Sequence, residues 1–586
     1  MPKLRGPDTV NRAAVMLLTG PLLFLLCFFY VPLIQTLWMS FWIDGVFTFS
    51  NYERALSSAL YLNAFVWTFE LALFTTILSL VVGYPVAYVM ATGGSRLRLF
   101  ILICIIMPFW TSALVRTFAW VAILGREGIV NSSLMYLSIV SRPMSLVFNR
   151  IGVFIGTVHV MLPYMVLCLY SSMHGIDRSL VRAAETLGAG RMRSFFLIYV
   201  PQTAPGIISG SLLVFIVSLG FFVTPAVLGG NQSPSVVVLV ERHMGVMLNW
   251  PMAATLSSLL LAATLLLFAV FNRYVRAGHA APEGQGGEAI RLYTLIAKLD
   301  QGWRPVRALW RRFSPNPLRR RRRSARSQPR LATLMAALIA TITAFPILLI
   351  VLMAFFPSPS SAIRLGNFSL RWFALYFTRD EWISSTLTSF QVALVTAALA
   401  STIALVTALG LRRLPPAVRT TLVSINLTPM IVPAVAYGVS AYFLFAQIGL
   451  IGTRISLVLG HTILAIPPTV LVMVAAVQSI DNRLEDAAAS LGASPWRRLR
   501  HIILPLLAPM TAASALIAFL TSFDDLAIAL FLTSSKAKTL PKQLYDSMLN
   551  DSDPRVFAAS AVLVGLTIAA LVIMHLLRSR SMSERG

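Results

Sequence analysis

Twelve stretches of roughly twenty apolar residues, each long enough to cross a bilayer, run through this 586-residue chain: 13–37, 61–90, 99–124, 151–173, 206–229, 251–271, 331–356, 383–411, 420–447, 455–478, 506–533 and 556–577. Nine of the twelve hold no Asp, Glu, Lys or Arg. Lipid offers the backbone no hydrogen-bond partner, so only helices or closed barrels can span it. The alternating strands of a barrel are absent. The expectation is an all-α polytopic membrane protein with twelve spans. Charged residues make up 12% of the chain, about half the share of a soluble domain. The first run follows Lys3, Arg5 and Arg12 but is too long for a signal core and lacks a small-x-small cleavage site, so it is expected to be retained.

The net charge of +26 would suit a nucleic-acid partner if it formed a folded patch. Instead it concentrates at 278–330, a Gly-, Pro- and Ser-containing segment that includes five consecutive arginines, Arg319 to Arg323. This reads as a linker. Twelve crossings place it on the same side as both termini, and 34 of the 48 Lys and Arg fall on that side. The positive-inside rule then puts termini and linker in the cytoplasm. Basic charge here sets topology against the lipid bilayer, and no nucleic acid is expected. Cys27, Cys104 and Cys168 lie in apolar runs without metal or disulfide spacing, and are expected to be buried packing residues.

The chain repeats itself. Pro163 and Pro467, Asp177 and Asp481, Gly188 and Gly492, Pro201 and Pro505, and Pro205 and Pro509 are all 304 residues apart. Six crossings return the chain to its starting side, so residues 1–277 and 331–586 are expected to be two homologous six-helix bundles of the same orientation, joined by 278–330. Each repeat carries a small-residue, half-charged turn between its fourth and fifth spans: "LVRAAETLGA" from Leu180 and "LEDAAASLGA" from Leu484. Ile176, Leu180, Ala183, Ala184 and Leu187 recur at helical spacing. Asp177 and Asp481 are placed to cap a helix start, and Gly188 and Gly492 to end it in the left-handed conformation. A basic amphipathic segment closed by proline follows each. The expected unit is a helix, a glycine elbow and a second helix lying at the membrane surface. Such helices can simply connect spans; two copies at one offset, elbow and prolines retained, argue for a docking surface.

The pattern E-A-A-x-x-x-G with a proline-ended helix resembles the coupling-helix signature of ABC importer permeases. Asp486, Ala487, Ala488 and Gly492 fit it; Ala183, Ala184 and Gly188 fit too, with Arg182 at the acidic position. The segments Met107 to Asn131 and Ser218 to Gly230 resemble the first permease subunit of spermidine/putrescine-type systems. Thr428 to Ser440 and Thr521 to Thr533 resemble the second. The resemblance implies the type I importer permease fold, with two subunits joined in one chain in the bacterial inner membrane. It also implies a dimer of ATPase subunits on the elbows, an extracytoplasmic solute-binding protein and a small organic solute, polyamine-like or zwitterionic. The chain has no GxxxxGK[ST] phosphate loop, HExxH or GxSxG. ATP and Mg would therefore be bound and hydrolysed on separate subunits, with no cofactor and no catalysis in this chain.

Charges inside spans are pathway candidates, because burying one costs about 2.5–3.5 kcal/mol on insertion scales. They are Glu70, Arg116, Asp524 and Asp525. Arg116 is expected either to gate the path or, the favoured reading, to be the structural partner of Glu70. Asp524 and Asp525 are ~100° apart on a helix and cannot share a site without unwinding; they either line the path or form an ion pair or cap at a broken helix. Trp110 and Phe221 are candidates for holding a cation, whereas Trp110, Trp120, Trp250 and Trp382 suit interface anchoring. His159 and His461 are expected to be packed, hydrogen-bonded residues. The rival class is a twelve-helix secondary transporter, which shares the parallel halves but has no use for duplicated elbows. An intramembrane enzyme would need a catalytic constellation that these residues do not supply.

Overall fold

The structure is a computed structural model and describes residues 12–43, 45–230, 234–279, 330–357, 367–550 and 554–583. All but the ends of the 278–330 linker lies outside the described residues. Each of the twelve apolar runs forms a helical span, but not all are straight. Eight are unbroken: span 1 (Ala14–Met39), span 2 (Ala59–Thr92), span 4 (Arg150–His174), span 6 (Trp250–Phe271), span 7 (Leu331–Met353), span 8 (Asp380–Leu411), span 10 (Arg454–Gln478) and span 11 (Pro495–Phe523). Span 12 contributes the shorter apolar stretch Arg555–Ala569. Three are bent pairs: span 3 (Ser95–Phe109 and Ala113–Tyr136, 100°), span 5 (Met192–Gln202 and Ala204–Leu219, 62°) and span 9 (Pro416–Met430 and Ala434–Gln447, 90°).

Proline and hydroxyl chemistry account for the bends. In span 9, Pro433 cannot donate a backbone hydrogen bond and opens the second helix at Ala434. In span 3, Pro108 precedes the break, and the Ser112 hydroxyl accepts from Leu114 N–H to restart the helix. Span 5 bends where the Thr203 hydroxyl and amide both reach back to the Val200 carbonyl. The repeat-equivalent residue in the straighter span 11 is Leu507, which has no hydroxyl. The second elbow helices each contain a π-turn, Phe195–Tyr199 and Leu499–Ile503. Each lies just before a proline, Pro201 or Pro505, whose missing N–H breaks the i−4 ladder.

Spans 2, 4 and 5 form the packed centre of the first half, and spans 8, 10 and 11 that of the second. Small residues let these helices approach, as within membranes generally. A Cβ on Gly206 would sit 2.6 Å from Ser172 Cβ. The first span of each half crosses to the other. Span 1 lies on span 8, where Leu18 Cγ would be 2.7 Å from a Cβ on Gly410, and on the second helix of span 9. Three cross-half hydrogen bonds fix it: Tyr437 Oη to the Phe28 carbonyl (3.0 Å), Tyr30 Oη to the Ile425 carbonyl (3.1 Å), and Thr36 Oγ1 to Ser440 Oγ (2.8 Å). Span 7 reciprocally packs on spans 2 and 3, and the Thr343 carbonyl lies 2.9 Å from His159 Nε2. The two halves of the sequence are thus interlocked rather than separate bundles. Span 1's peripheral position leaves Cys27 exposed, unlike buried Cys104; the expectation that all three cysteines are buried fails there.

Candidate functional site

The two elbows adopt the expected geometry. Ser179–Thr186 and Asn482–Ser490 are short helices with no buried residue. Asp481 Oδ1 accepts from Arg483 N–H (2.9 Å), and Asp177 Oδ1 accepts from Ser179 N–H (2.8 Å). The Ser179 hydroxyl also donates to Asp177 (2.6 Å), and these bonds hold the Asp177 carboxyl below the ordinary carboxylate range. Gly188 and Gly492 have φ of +91° and +80°, the left-handed conformation that ends each helix.

The apolar stripe of each elbow packs on the chain only at its start, where Ile176 and Ile480 meet the cores. Leu187 and Leu491, one residue before each glycine, are both 89% exposed. Leu180 and Leu484 are 53% and 47% exposed, and Met192 and Trp496 are 72% and 65%. All three pairs keep the 304-residue offset. Arg182, Ala183 and Gly188 are exposed beside them, as are Asp486, Ala487 and Gly492; Ala184 and Ala488 are half-buried. The elbows are tied down differently. Arg178 of the first donates to the Ala91 carbonyl at the end of span 2 (2.6 Å). At the second, Arg412 at the end of span 8 donates to Glu485 and Asn482.

The span charges do not gather at one point. Glu70 pairs with Arg150 (3.3 Å), half exposed, with the Arg150 guanidinium 4.4 Å from the Trp67 ring. It is not the partner of Arg116, correcting that expectation: Glu70 lies on span 2 towards a surface reached by the start of span 4. Arg116 is buried in the second helix of span 3, donating to the Val160 carbonyl (3.3 Å), with Tyr164 and Asp524 as its electrostatic neighbours. Asp524 comes from the other half. Span 11 ends at Phe523, and the buried Asp524 carboxylate has Ser112, Arg116 and Ala113 of half one as its electrostatic neighbours. A carboxylate of half two therefore faces the start of the restarted helix of half one, which Ser112 caps and where the helix dipole favours negative charge.

Asp525 turns the opposite way. Its Oδ2 accepts from Ile528 N–H (2.9 Å) and Ala529 N–H (3.2 Å) and lies 3.3 Å from His461 Nε2, whose Nδ1 is 2.7 Å from Ser522 Oγ. It is the cap of the short helix Ala529–Leu532. The local unwinding needed to separate the two acids is present, and they face different elements.

The repeat-equivalent positions in half one are Gly220 and Phe221. A Cβ on Gly220 would stand 2.9 Å from Pro433 Cβ, at the break of span 9. Phe221 packs between the cores of both halves, while Trp110 ends the first helix of span 3 against Phe109. Trp382 is fully buried against Tyr376, which corrects its reading as an interface anchor; it lies under a neighbouring helix. Sequence reasoning missed a charged cluster opposite the elbows: Glu241, Arg242, Lys538, Lys542 and Asp546. These residues fall between the apolar runs, so a search for charges within spans passes over them. Among the described residues no group of His, Cys, Asp and Glu could hold a metal.

Comparison with known proteins fits this architecture. The family described as "Binding-protein-dependent transport system inner membrane component" matches residues 83–277 and again 400–582. The spermidine/putrescine transport system permease protein PotB of Salmonella typhimurium (strain SL1344) is 32% identical over 280 residues, 47% of this chain and 96% of its own. PotB of Escherichia coli (strain K12) is 32% identical over 259 residues, 43% and 94%. The probable ABC transporter permease protein y4fN of Sinorhizobium fredii (strain NBRC 101917 / NGR234) is 25% identical over 565 residues, 95% and 94%. One solved structure, a bacterial ABC transporter involved in import of the acidic polysaccharide alginate, is 16% identical with a TM-score of 0.39, covering 45% of this chain and 94% of that one. The chain belongs to the binding-protein-dependent transport system inner membrane component family: it is a multi-pass inner membrane permease of an ABC importer, with two permease domains in one polypeptide and ATP hydrolysis left to separate subunits.

Proposed function

We propose that this permease imports a small organic amine, with each elbow seated in a groove of one ATPase subunit that binds ATP and Mg. The observation that carries the docking is the repetition, at one offset, of three exposed apolar positions on the two elbows: Leu180 and Leu484, Leu187 and Leu491, Met192 and Trp496. A single exposed apolar residue is ordinary. Leu187 and Leu491, held out beside a left-handed glycine in both halves, offer apolar surface that a partner's groove would remove from water. Nucleotide-driven closure would draw the elbows together and move spans 4, 5, 10 and 11 as levers, a rigid-body switch. Termini and linker are then cytoplasmic, and a solute-binding protein delivers its load on the opposite side.

The amine reading is supported by two features. Two relatives that match nearly half of this chain, the PotB proteins, are spermidine/putrescine permeases. The cross-half contact of spans 3 and 11 presents a carboxylate, Asp524, that leaves the polar groups of half one when the halves part. An ammonium group suits a carboxylate exposed in that state. In this reading Glu70 and Asp525 serve structure, and Trp110, Phe221, Arg116 and Asp524 border the path.

The test is uptake of labelled putrescine and spermidine into proteoliposomes containing the chain, its ATPase and its binding protein. Uptake that needs ATP and disappears with Leu187→Asp plus Leu491→Asp, together with co-purification of the ATPase, supports the proposal. Uptake driven by an ion gradient without any ATPase would overturn the docking role. ATP-driven uptake of an anionic or neutral solute alone would overturn the amine.

A further inference from the structure

Opposite the elbows, each half sends a short helix along the seam before its last span: Val236–Gly245 in half one and Leu540–Asn550 in half two. The repeat offset sets Val236 against Leu540, so these are equivalent elements. Their charges are not equivalent. On the second helix Lys542 Nζ lies 2.5 Å from Asp546 Oδ1, and Lys538 Nζ lies 2.7 Å from Oδ2. The Lys542 ammonium is 5.8 Å from the Tyr545 ring, and Tyr545, itself 4% exposed, meets Phe222 of half one at 5.6 Å. From half one, Glu241 has Lys542, Arg242 and Asp546 as electrostatic neighbours. Burial raises the Glu241 carboxyl above its usual range, and Lys542 is the strongest of the cations opposing that.

One primary ammonium on a four-carbon stem is thus held by Asp546 beside an aromatic ring that meets half one, with the Glu241 carboxyl of half one as a longer-range electrostatic neighbour. A linear alkylamine ends in the same group, with the same charge and the same three donors. We propose that Lys542 is a tethered stand-in for the solute's ammonium, and that Glu241, Tyr545 and Asp546 form a primary-alkylammonium site once Lys542 swings aside. The exchange keeps the charge of the seam constant, whereas a neutral or anionic ligand would leave it at least one positive charge short. Lys538 holds the second oxygen of Asp546, so the carboxylate stays in place when Lys542 leaves. Lys542 has a flexible stem and a side chain 19% exposed, so solvent receives its head group. The site rests on the amine reading only for the identity of the natural ligand; its chemistry is testable with a simple ammonium ion.

The experiment uses the full chain in lipid nanodiscs, titrated with n-butylammonium, putrescine and, as a neutral control, n-butanol. In the wild type the tethered ammonium has a high effective concentration and excludes the free one. Lys542→Ala is expected to gain saturable n-butylammonium binding by calorimetry, with a Tm rise of about 2 °C at saturation. That gain should vanish in Lys542→Ala combined with Asp546→Asn or Glu241→Gln, and n-butanol should do nothing. Lys542→Met keeps the stem and serves if the alanine variant folds poorly. Folded variants that bind neither amine better than the wild type overturn the site. Putrescine uptake by the wild-type complex is measured separately. Binding to the variants without uptake refutes the amine substrate and leaves the site standing; uptake without binding does the reverse.

Discussion

The two seams where the halves meet are built on one plan and filled with opposite chemistry. On one, the end of span 11 meets the break of span 3, and Asp524 faces the start of the restarted helix beside buried Arg116. On the other, the end of span 5 meets the break of span 9, and Gly220 presses on Pro433, which has no N–H to offer. The repeat places Asp524 and Gly220 at the same position. In the proposed transport cycle, parting the first seam would take a buried carboxylate away from the polar groups of half one, and parting the second would separate Gly220 from Pro433. The comparison teaches that the repeat keeps the geometry of the two seams while the acid stands at one of them. In that reading the first seam is a latch and the second a sliding contact.

The largest effect expected from this contrast is at the latch. Asp524→Leu would leave Arg116 buried without its carboxylate, destabilising the chain by about 3 kcal/mol. Asp524→Asn keeps an acceptor and should cost clearly less. Denaturant unfolding of both variants in bilayer mimetics reads this out. A leucine variant as stable as the wild type would break the latch reading.

Next come the elbows, where the two halves expose the same apolar anchors but carry Arg182 in one and Asp486 in the other. Leu187→Asp and Leu491→Asp should each weaken ATPase binding by about 2 kcal/mol, roughly 30-fold. Affinities measured for the separate variants sharpen the comparison. Equal losses mean that the leucines dominate, and a loss confined to Leu491→Asp means that the acidic residue defines the working elbow.

Gly220→Ala tests the sliding contact. Its Cβ would stand 2.9 Å from Pro433 Cβ and 3.0 Å from Pro433 Cα, a rigid neighbour. Overpacking of this kind costs about 1–3 kcal/mol. The loss should fall on the form in which the halves are closed, so transport should suffer more than ATPase docking. Uptake and co-purification, measured on one preparation, separate the two.

Much of this architecture is legible in the sequence because it is local or repeated. Apolar runs mark the spans, since lipid forces each into a helix. The elbows show through their capping aspartates, left-handed glycines and constant offset, which are all short-range signals. What stayed hidden is long-range. Nothing in the periodicity of 13–37 says that it lies on span 8, because a lipid-facing helix looks alike on either half. Arg116 and Glu70 share opposite charge and apolar surroundings, yet Arg150 and Asp524 stand nearer to them. The adjacency of Asp524 and Asp525 did show that they must diverge; which element each would face depends on the break of a helix in the other half. The Lys542 cluster was hidden for a simpler reason, lying in segments polar enough to look like loops.

The smallest expected effect sharpens the comparison at the elbows. The first elbow reaches out to its span through Arg178 on the Ala91 carbonyl, whereas the second is reached by its span through Arg412 on Glu485 and Asn482. Both are partly exposed, and such contacts are worth about 0–1 kcal/mol. Arg412→Met should therefore barely move the unfolding midpoint. It should nevertheless loosen the second elbow relative to span 8, because Arg412 ties Glu485 and Asn482 to the end of that span. Hydrogen exchange at residues 482–490 would rise several-fold, while exchange at 179–186 stays unchanged. Arg178→Met should produce the mirror result. If either variant loosens both elbows equally, the elbows move as one unit through the interlocked spans, and the two tethers are redundant rather than independent.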